Sequence, residues 1–191
     1  MSENSGEVRL GGGVCSASHA GWLSTPVRRL FQSPSRLLTG LVGPGDTAVD
    51  FGCGPGFFTL PMAEMVGPEG RVVAVDLQAE MLEKLKLRAE RAGVAARIRL
   101  HQCAADTIGQ VEPVDFALAF YMVHEVPDAG HFLREVHGVL KEGGRLLLVE
   151  PKAHVSAAAF RKTEDVAGRL GLKPLSRPRV RLSRATLFAC A

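Results

Sequence analysis

The residues best suited to bind a ligand form a glycine-rich turn, followed about 20 residues later by an acid. In the turn DFGCGPG, the glycines Gly52, Gly54 and Gly56 occupy alternate positions. Because they lack Cβ atoms, the backbone can turn tightly and a ligand can approach main-chain N–H groups. Asp76 stands at the spacing at which an acid accepts hydrogen bonds from ribose hydroxyls. The pattern therefore predicts a ligand that contains a nucleoside.

The details of the turn favour one class of nucleoside cofactor over another. A dinucleotide fingerprint needs G-x-G-x-x-G, but Phe57 occupies the position of its last glycine. Asp50, next to the turn, would repel a pyrophosphate and could orient an amino-acid tail instead. S-adenosylmethionine (SAM) has that tail, a ribose and no phosphate, so we expect SAM and disfavour a nicotinamide-dependent oxidoreductase. Two plainer interpretations stay open: Asp50 merely caps the turn before the helix, and Asp76 is an ordinary strand-end carboxylate.

Three further residues could move a proton. A sulfonium methyl group is already activated, so a base is needed only when the acceptor must lose a proton. His124, Glu125 and His154 follow the ends of predicted strands and are the candidates, although a lone histidine is often structural. Tyr121, the only tyrosine, could place its ring near the sulfonium or simply pack in the core.

Strands that alternate with helices must position these residues. Strands are predicted at residues 47–51, 71–76, 97–103, 114–121 and 145–150, and helices at 57–66, 78–92 and 156–170, with a further helix capped by Asp128. Residues 173–191 can form two final antiparallel strands. This order predicts an α/β fold with a mostly parallel sheet and helices on both faces. Such sheets bind ligands at the carboxyl ends of their strands.

Four segments give the sequence a family resemblance. AVDFGCGPG, VVAVDLQAEML, DFALAFYMVHEVPD and FLREVHGVLKEGGRLLLVEP occur in the order found in class I SAM-dependent methyltransferases. These segments are most similar to the small-molecule branch of the family, which includes quinone-biosynthesis enzymes. The resemblance implies a Rossmann-like sheet of seven strands with an antiparallel C-terminal strand.

The resemblance also implies where the cofactor would lie. SAM would lie over the turn that holds Gly52, Cys53, Gly54 and Gly56, with its ribose on Asp76. Leu77 would pack against the adenine, while Phe120 and Tyr121 would line the methionine end. The acid that many relatives carry after the third strand is replaced by Cys103. We therefore assign the adenine contacts to the Ala104 backbone and the Asp106 side chain.

Length and composition set the broad class. The 191 residues are 46% hydrophobic and 23% charged, with a mean hydropathy of +0.10, as in a globular domain. We expect a flexible N-terminus over 1–14, a helical lid over 15–41 and a methyltransferase domain over 42–191. Without an apolar run long enough for a membrane span or a recognisable signal peptide, the chain is predicted to be cytoplasmic. The four scattered cysteines indicate free thiols and no metal site.

The charge is distributed unevenly along the chain, which bears on the kind of partner the protein could bind. Residues 151–191 hold nine Lys and Arg against two acids, whereas residues 1–150 hold fourteen basic and eighteen acidic side chains. Arg177, Arg179 and Arg181 alternate as if on one strand, where they would either bind an anionic substrate or RNA, or protect a sheet edge. We expect a small-molecule acceptor rather than nucleic acid, and a monomer or homodimer. A non-catalytic SAM-binding regulatory module and an RNA methyltransferase remain the alternatives.

Overall fold

A computed structural model describes residues 33–191 and shows one sheet of seven strands. The strands are β1 Thr47–Phe51, β2 Arg71–Asp76, β3 Ile98–Gln102, β4 Val114–Phe120, β5 Leu140–Pro151, β6 Leu172–Ser176 and β7 Ser183–Cys190. Their spatial order is β3-β2-β1-β4-β5-β7-β6. The pairs among β1 to β5 are parallel, while β7 is antiparallel to both β5 and β6. The predicted Rossmann-like α/β fold is confirmed.

Five α-helices within the described residues accompany the sheet. They are α1 Pro34–Leu38, α2 Thr59–Met65, α3 Ala79–Arg91, α4 Ala129–Val139 and α5 Ala157–Arg169, with a 3₁₀ turn at Ala95–Arg97. Asp128 caps α4 by accepting hydrogen bonds from the Gly130 and His131 N–H groups, as predicted. None of the helices in this part of the chain is long and apolar enough to cross a membrane.

The sheet is buried on both faces because its central strands are almost entirely apolar. Along β5, Leu146 and Leu148 pack with Leu133 of α4 on one face. Leu147 and Val149 point the other way and pack with Met62 of α2. Parallel strands covered by helices on both sides have this continuous hydrophobic character.

The strand order reverses between β1 and β4, which are neighbours in space. A reversal of this kind opens a crevice at the carboxyl ends of the strands, because the connections leave in opposite directions. The glycine turn follows β1, Leu77 follows β2 and Tyr121 follows β4, so all three lie at this edge.

Several local predictions are corrected. Arg177, Arg179 and Arg181 do not share a strand, because residues 177–182 form the loop between β6 and β7. Tyr121 lies beyond β4 with a φ of 62°, a left-handed conformation that cannot continue a strand. β5 begins at Leu140, before the predicted start of this strand at residue 145.

The N-terminal predictions can be followed only in part. Ser33 caps α1 by accepting a hydrogen bond from the Arg36 N–H, and Pro34 begins the helix, as expected. Leu38 of this helix is fully buried in the core. The flexible segment 1–14 and most of the lid 15–41 lie outside the described residues, so both stay predictions.

Candidate active site

The glycine turn is held open by its backbone conformation. Gly52, Gly54 and Gly56 have φ values of 68°, 51° and 87°, which residues with a Cβ rarely adopt. A Cβ on Gly56 would lie 2.3 Å from Leu85 Cδ1, so this glycine also lets α3 approach. A Cβ on Gly54 would meet no atom within 4 Å. Space for a ligand therefore lies directly beside the middle glycine.

Asp76 ties the end of β2 to this turn. Its Oδ2 accepts a hydrogen bond from the Gly54 N–H at 2.8 Å, and its Oδ1 accepts one from the Gln78 N–H at 2.9 Å. The residue is only 8% exposed, and this burial raises the pKa of its carboxyl above the usual value. A concentrated negative charge thus lies beside the open space at Gly54, where it can accept further hydrogen bonds from hydroxyls.

Asp50 lies deeper than Asp76. It is 2% exposed and its Oδ2 accepts a hydrogen bond from the Thr59 hydroxyl at 2.6 Å. Thr59 is the first residue of α2, so Asp50 joins β1 to the start of that helix. This contact agrees with the helix-anchoring interpretation of Asp50, and its role toward a cofactor stays a prediction.

The residues assigned to adenine lie after β2 and β3. Leu77 is 36% exposed and its carbonyl accepts a hydrogen bond from Gln102 Nε2. Ala104 bridges to Thr107 and starts the loop that leads away from β3. Asp106 lines a cleft of about 250 Å³ together with Val126 to Asp128 and His131. Loop and cleft are present at the expected edge, while the adenine contacts themselves stay predictions.

Aromatic rings cover the region between the glycine turn and β4. The ring of Phe120 lies 4.5 Å from that of Phe58 and 4.3 Å from that of Tyr121, between centroids. The Tyr121 hydroxyl hydrogen-bonds the Ser183 hydroxyl at the start of β7. Tyr121 therefore spans the ends of β4 and β7, which fixes its ring at this edge of the sheet.

Both predicted histidines meet at the ends of β4 and β5. The rings of His124 and His154 are 5.5 Å apart between centroids, and their planes are inclined at 67°. Glu125 extends the group, since its Oε1 lies 3.9 Å from His124 Nε2. Both histidines thus follow neighbouring strands, β4 and β5, while their role toward an acceptor stays a prediction.

Glu150 is the residue of this cluster that sequence reasoning missed. It is 2% exposed, its Oε1 accepts a hydrogen bond from the Val123 N–H at 2.9 Å, and its Oε2 bonds His124 Nδ1. This hydrogen bond raises the pKa of the His124 imidazole. The available signal was an acid at the end of the fully apolar strand LLLVE, because a buried charge needs a partner.

The thiols nearby are poorly suited to nucleophilic chemistry. Cys53 is buried in the glycine turn, and burial raises the pKa of its thiol well above the usual value. Burial also raises the pKa of the Cys103 thiol. Among residues 33–191, no group of three or more His, Cys, Asp or Glu side chains could hold a metal ion.

Comparisons with known proteins agree on one class. Residues 43–174 match the family model described as "Methyltransferase domain". A solved structure, a SAM-dependent methyltransferase from Aquifex aeolicus, superposes with a TM-score of 0.82 over 91% of this chain and 98% of that one. The sequence identity to that structure is 21%, so it supports the fold.

Curated relatives share higher identity over shorter regions. The chain is 32% identical over 109 residues to a demethylmenaquinone methyltransferase of Bacillus cereus, covering 57% of this chain and 46% of that protein. It is 34% identical over 108 residues to an uncharacterized 37.1 kDa protein in transposon TN4556 of Streptomyces fradiae, covering 56% and 31%. The matched region thus spans less than half the length of these relatives.

Proposed function

This chain belongs to the methyltransferase-domain family, and from that premise we propose that it transfers the methyl group of SAM to a small-molecule acceptor. The family match confirms the resemblance to class I SAM-dependent methyltransferases that four sequence segments carry. It likewise supports SAM as the cofactor.

The observation that carries the proposal is the open space at Gly54 beside the Asp76 carboxylate. A side chain at Gly54 would project into that space, and Asp76 is bonded to the same residue's N–H. The residues therefore fit a ligand whose ribose hydroxyls donate to a carboxylate while its remaining atoms pass close to the backbone. Phe57, in place of the last glycine of a dinucleotide fingerprint, and Asp50 beside the turn disfavour a ligand with a pyrophosphate.

Each remaining part of the cofactor has candidate partners on this chain. Leu77, Ala104 and Asp106 would hold the adenine, and Phe120 and Tyr121 would enclose the methionine end. Bound SAM supplies a methyl group that is already activated by a positively charged sulfur. The protein then has to align the acceptor and exclude water, which the aromatic rings at Phe58 and Phe120 favour.

His124 is the proposed general base. Glu150 accepts the Nδ1 proton of the neutral imidazole, so the lone pair of that ring is on Nε2. For an acceptor with an X–H group, Nε2 would take its proton as X bonds the methyl carbon and the sulfur–methyl bond breaks, which leaves S-adenosylhomocysteine. His154 and Glu125 flank the imidazole and are placed to help orient the acceptor.

The acceptor class rests on the relatives. Some of these relatives are demethylmenaquinone methyltransferases, which are named after a small-molecule substrate. We extend that class to this chain without extending the particular molecule. The oligomeric state, monomer or homodimer, stays a prediction.

Transfer of a labelled methyl group tests the proposal. The purified chain is incubated with methyl-labelled SAM and, separately, with small-molecule, RNA and protein fractions of a cell extract. We expect label in the small-molecule fraction, reduced about 10²–10⁴-fold by His124→Ala. Label confined to RNA would favour an RNA methyltransferase. SAM binding without any transfer would favour the regulatory module.

A further inference from the structure

The β6–β7 loop, residues 177–182, borders the proposed active site. β7 is antiparallel to both β5 and β6, so β6 ends at the edge where β5 ends. The Lys152 N–H, just past β5, donates to the Leu182 carbonyl at 2.9 Å. Ser183, the next residue, holds the Tyr121 hydroxyl. The loop is therefore on the acceptor side of the molecule.

Positive charge is concentrated in this loop. Its sequence, RPRVRL, holds three arginines and no acid. Arg177 forms an ion pair with Glu164, in which Arg177 Nη2 lies 3.1 Å from Glu164 Oε1. Arg177, Arg179 and Arg181 are all exposed to solvent. The loop lies within residues 151–191, which contain nine basic and two acidic residues. Its surroundings thus favour contact with a negatively charged surface.

Exposed leucines flank the same arginines. Leu182 is 74% exposed and Leu175 is 57% exposed. The other exposed large hydrophobic residues within the described part of the chain, Leu77 and Leu87, are less exposed, at 36% and 51%. Leu182 also has a φ of 58°, a conformation uncommon for a residue with a Cβ. Because the Leu182 side chain is exposed, it contributes no buried apolar surface that would offset the cost of this backbone conformation.

We propose that residues 175–182 dock the protein on an anionic lipid surface. Leucines that enter the interface and arginines at the headgroups are the combination by which peripheral proteins bind such surfaces. RNA is a weaker fit because residues 175–182 contain no aromatic side chain on which bases could stack. Protection of the sheet edge is also a weaker explanation, since these arginines follow β6 instead of lying along it.

Vesicle sedimentation tests the proposal with a matched pair of variants. The test variant is Arg179→Gln with Leu182→Asn, because asparagine tolerates a left-handed backbone. The control is Lys86→Gln with Leu87→Gln, which removes one charge and one leucine that is 51% exposed from α3. Both are compared with the unaltered chain on phosphatidylcholine vesicles with and without phosphatidylglycerol.

We expect the unaltered chain and the control to sediment only with vesicles that contain phosphatidylglycerol. The test variant should bind them about tenfold more weakly. No binding by the unaltered chain, or equal binding by the test variant, would overturn the proposal, as would RNA binding that only the test variant loses. S-adenosylhomocysteine affinity is measured for all three proteins, so a failure of docking is distinguishable from a failure of the proposed function.

Discussion

At the scale of single residues, Asp76 is the proposed determinant of cofactor affinity. Asp76→Asn keeps one oxygen for the backbone N–H groups and removes the charge that burial disfavours. We expect SAM and S-adenosylhomocysteine to bind about tenfold to a hundredfold more weakly, because hydrogen bonds to a charged group contribute about 1.5–3 kcal/mol each. Calorimetric titration measures the change.

The matched control for Asp76 is Asp46→Asn. Asp46 also accepts a backbone hydrogen bond in a turn, from the Gly43 N–H at 2.8 Å, but it lies before β1 at the opposite edge of the sheet. Its substitution should leave cofactor affinity unchanged. Equal affinities for the Asp76 variant and the unaltered protein would reassign Asp76 to a purely structural role.

Glu150 sets the pH range in which His124 can act as a base. Because Glu150 raises the His124 pKa, the imidazole keeps its proton to higher pH than a free histidine. Glu150→Gln retains an acceptor for the Val123 N–H and removes the charge. The acidic limb of the kcat/KM profile should therefore move to lower pH. If the acidic limb does not move, His124 is not the base that takes the proton.

The same contact makes stability depend on pH. A histidine whose folded-state pKa is raised contributes stability that is fully present below its unfolded pKa of about 6.5. That contribution is lost as the pH rises through the folded-state pKa. Glu150→Gln should therefore reduce the free energy of unfolding more at mildly acidic pH than at alkaline pH, which denaturant titrations at both pH values would measure.

At the scale of the elements, the glycine turn works through its backbone. Gly54→Ala places a methyl group in the proposed cofactor space and strains a φ of 51°. Gly67→Ala is the matched control, since its φ is 69°, a Cβ there also meets no atom within 4 Å, and it lies in the turn before β2. Both should lose about 1 kcal/mol of stability.

Only the Gly54 variant should also lose cofactor affinity, by at least about tenfold if the methyl group displaces the ligand. Thermal unfolding of the two variants measures the cost of backbone strain, and calorimetry measures whether the added methyl group obstructs cofactor binding. Equal affinities in both variants would place the cofactor elsewhere.

Elements were predictable wherever one physical signal dominated. β1 and β2 have the predicted limits because their buried strands are bounded by a glycine turn and by charged or polar residues. The β6–β7 loop was predicted wrongly as part of a strand because the alternation of Arg177, Arg179 and Arg181 mimics a strand with one polar face. Pro178 between them was the opposing signal, since proline interrupts strand pairing.

Within the site, the cofactor side was easier to predict than the acceptor side. Gly54 and Asp76 are 22 residues apart, but a glycine turn followed at this spacing by a strand-end acid is a recognised pattern that predicts their proximity. Glu150 and His124 are 26 residues apart and meet only because β4 and β5 pair. Tyr121 likewise contacts Ser183, which lies 62 residues further along the chain.

At the scale of the whole molecule, cofactor binding should stabilise the fold. A ligand that binds only the folded state and is present at about a hundred times its Kd adds roughly 2.7 kcal/mol to the free energy of unfolding. For a chain of this size, that amount corresponds to a rise in Tm of about 5–10 °C. S-adenosylhomocysteine should produce this rise, whereas an equal concentration of NAD should produce none. A rise with NAD alone would contradict the expected selectivity.

The most direct test of the central claim is calorimetric titration of the purified protein with SAM and, in parallel, with NAD. The glycine turn, the open space at Gly54 and the buried Asp76 carboxylate predict saturable binding of one SAM per chain. Phe57 and Asp50 predict no heat of binding with NAD. Saturable binding of NAD without binding of SAM would contradict the account.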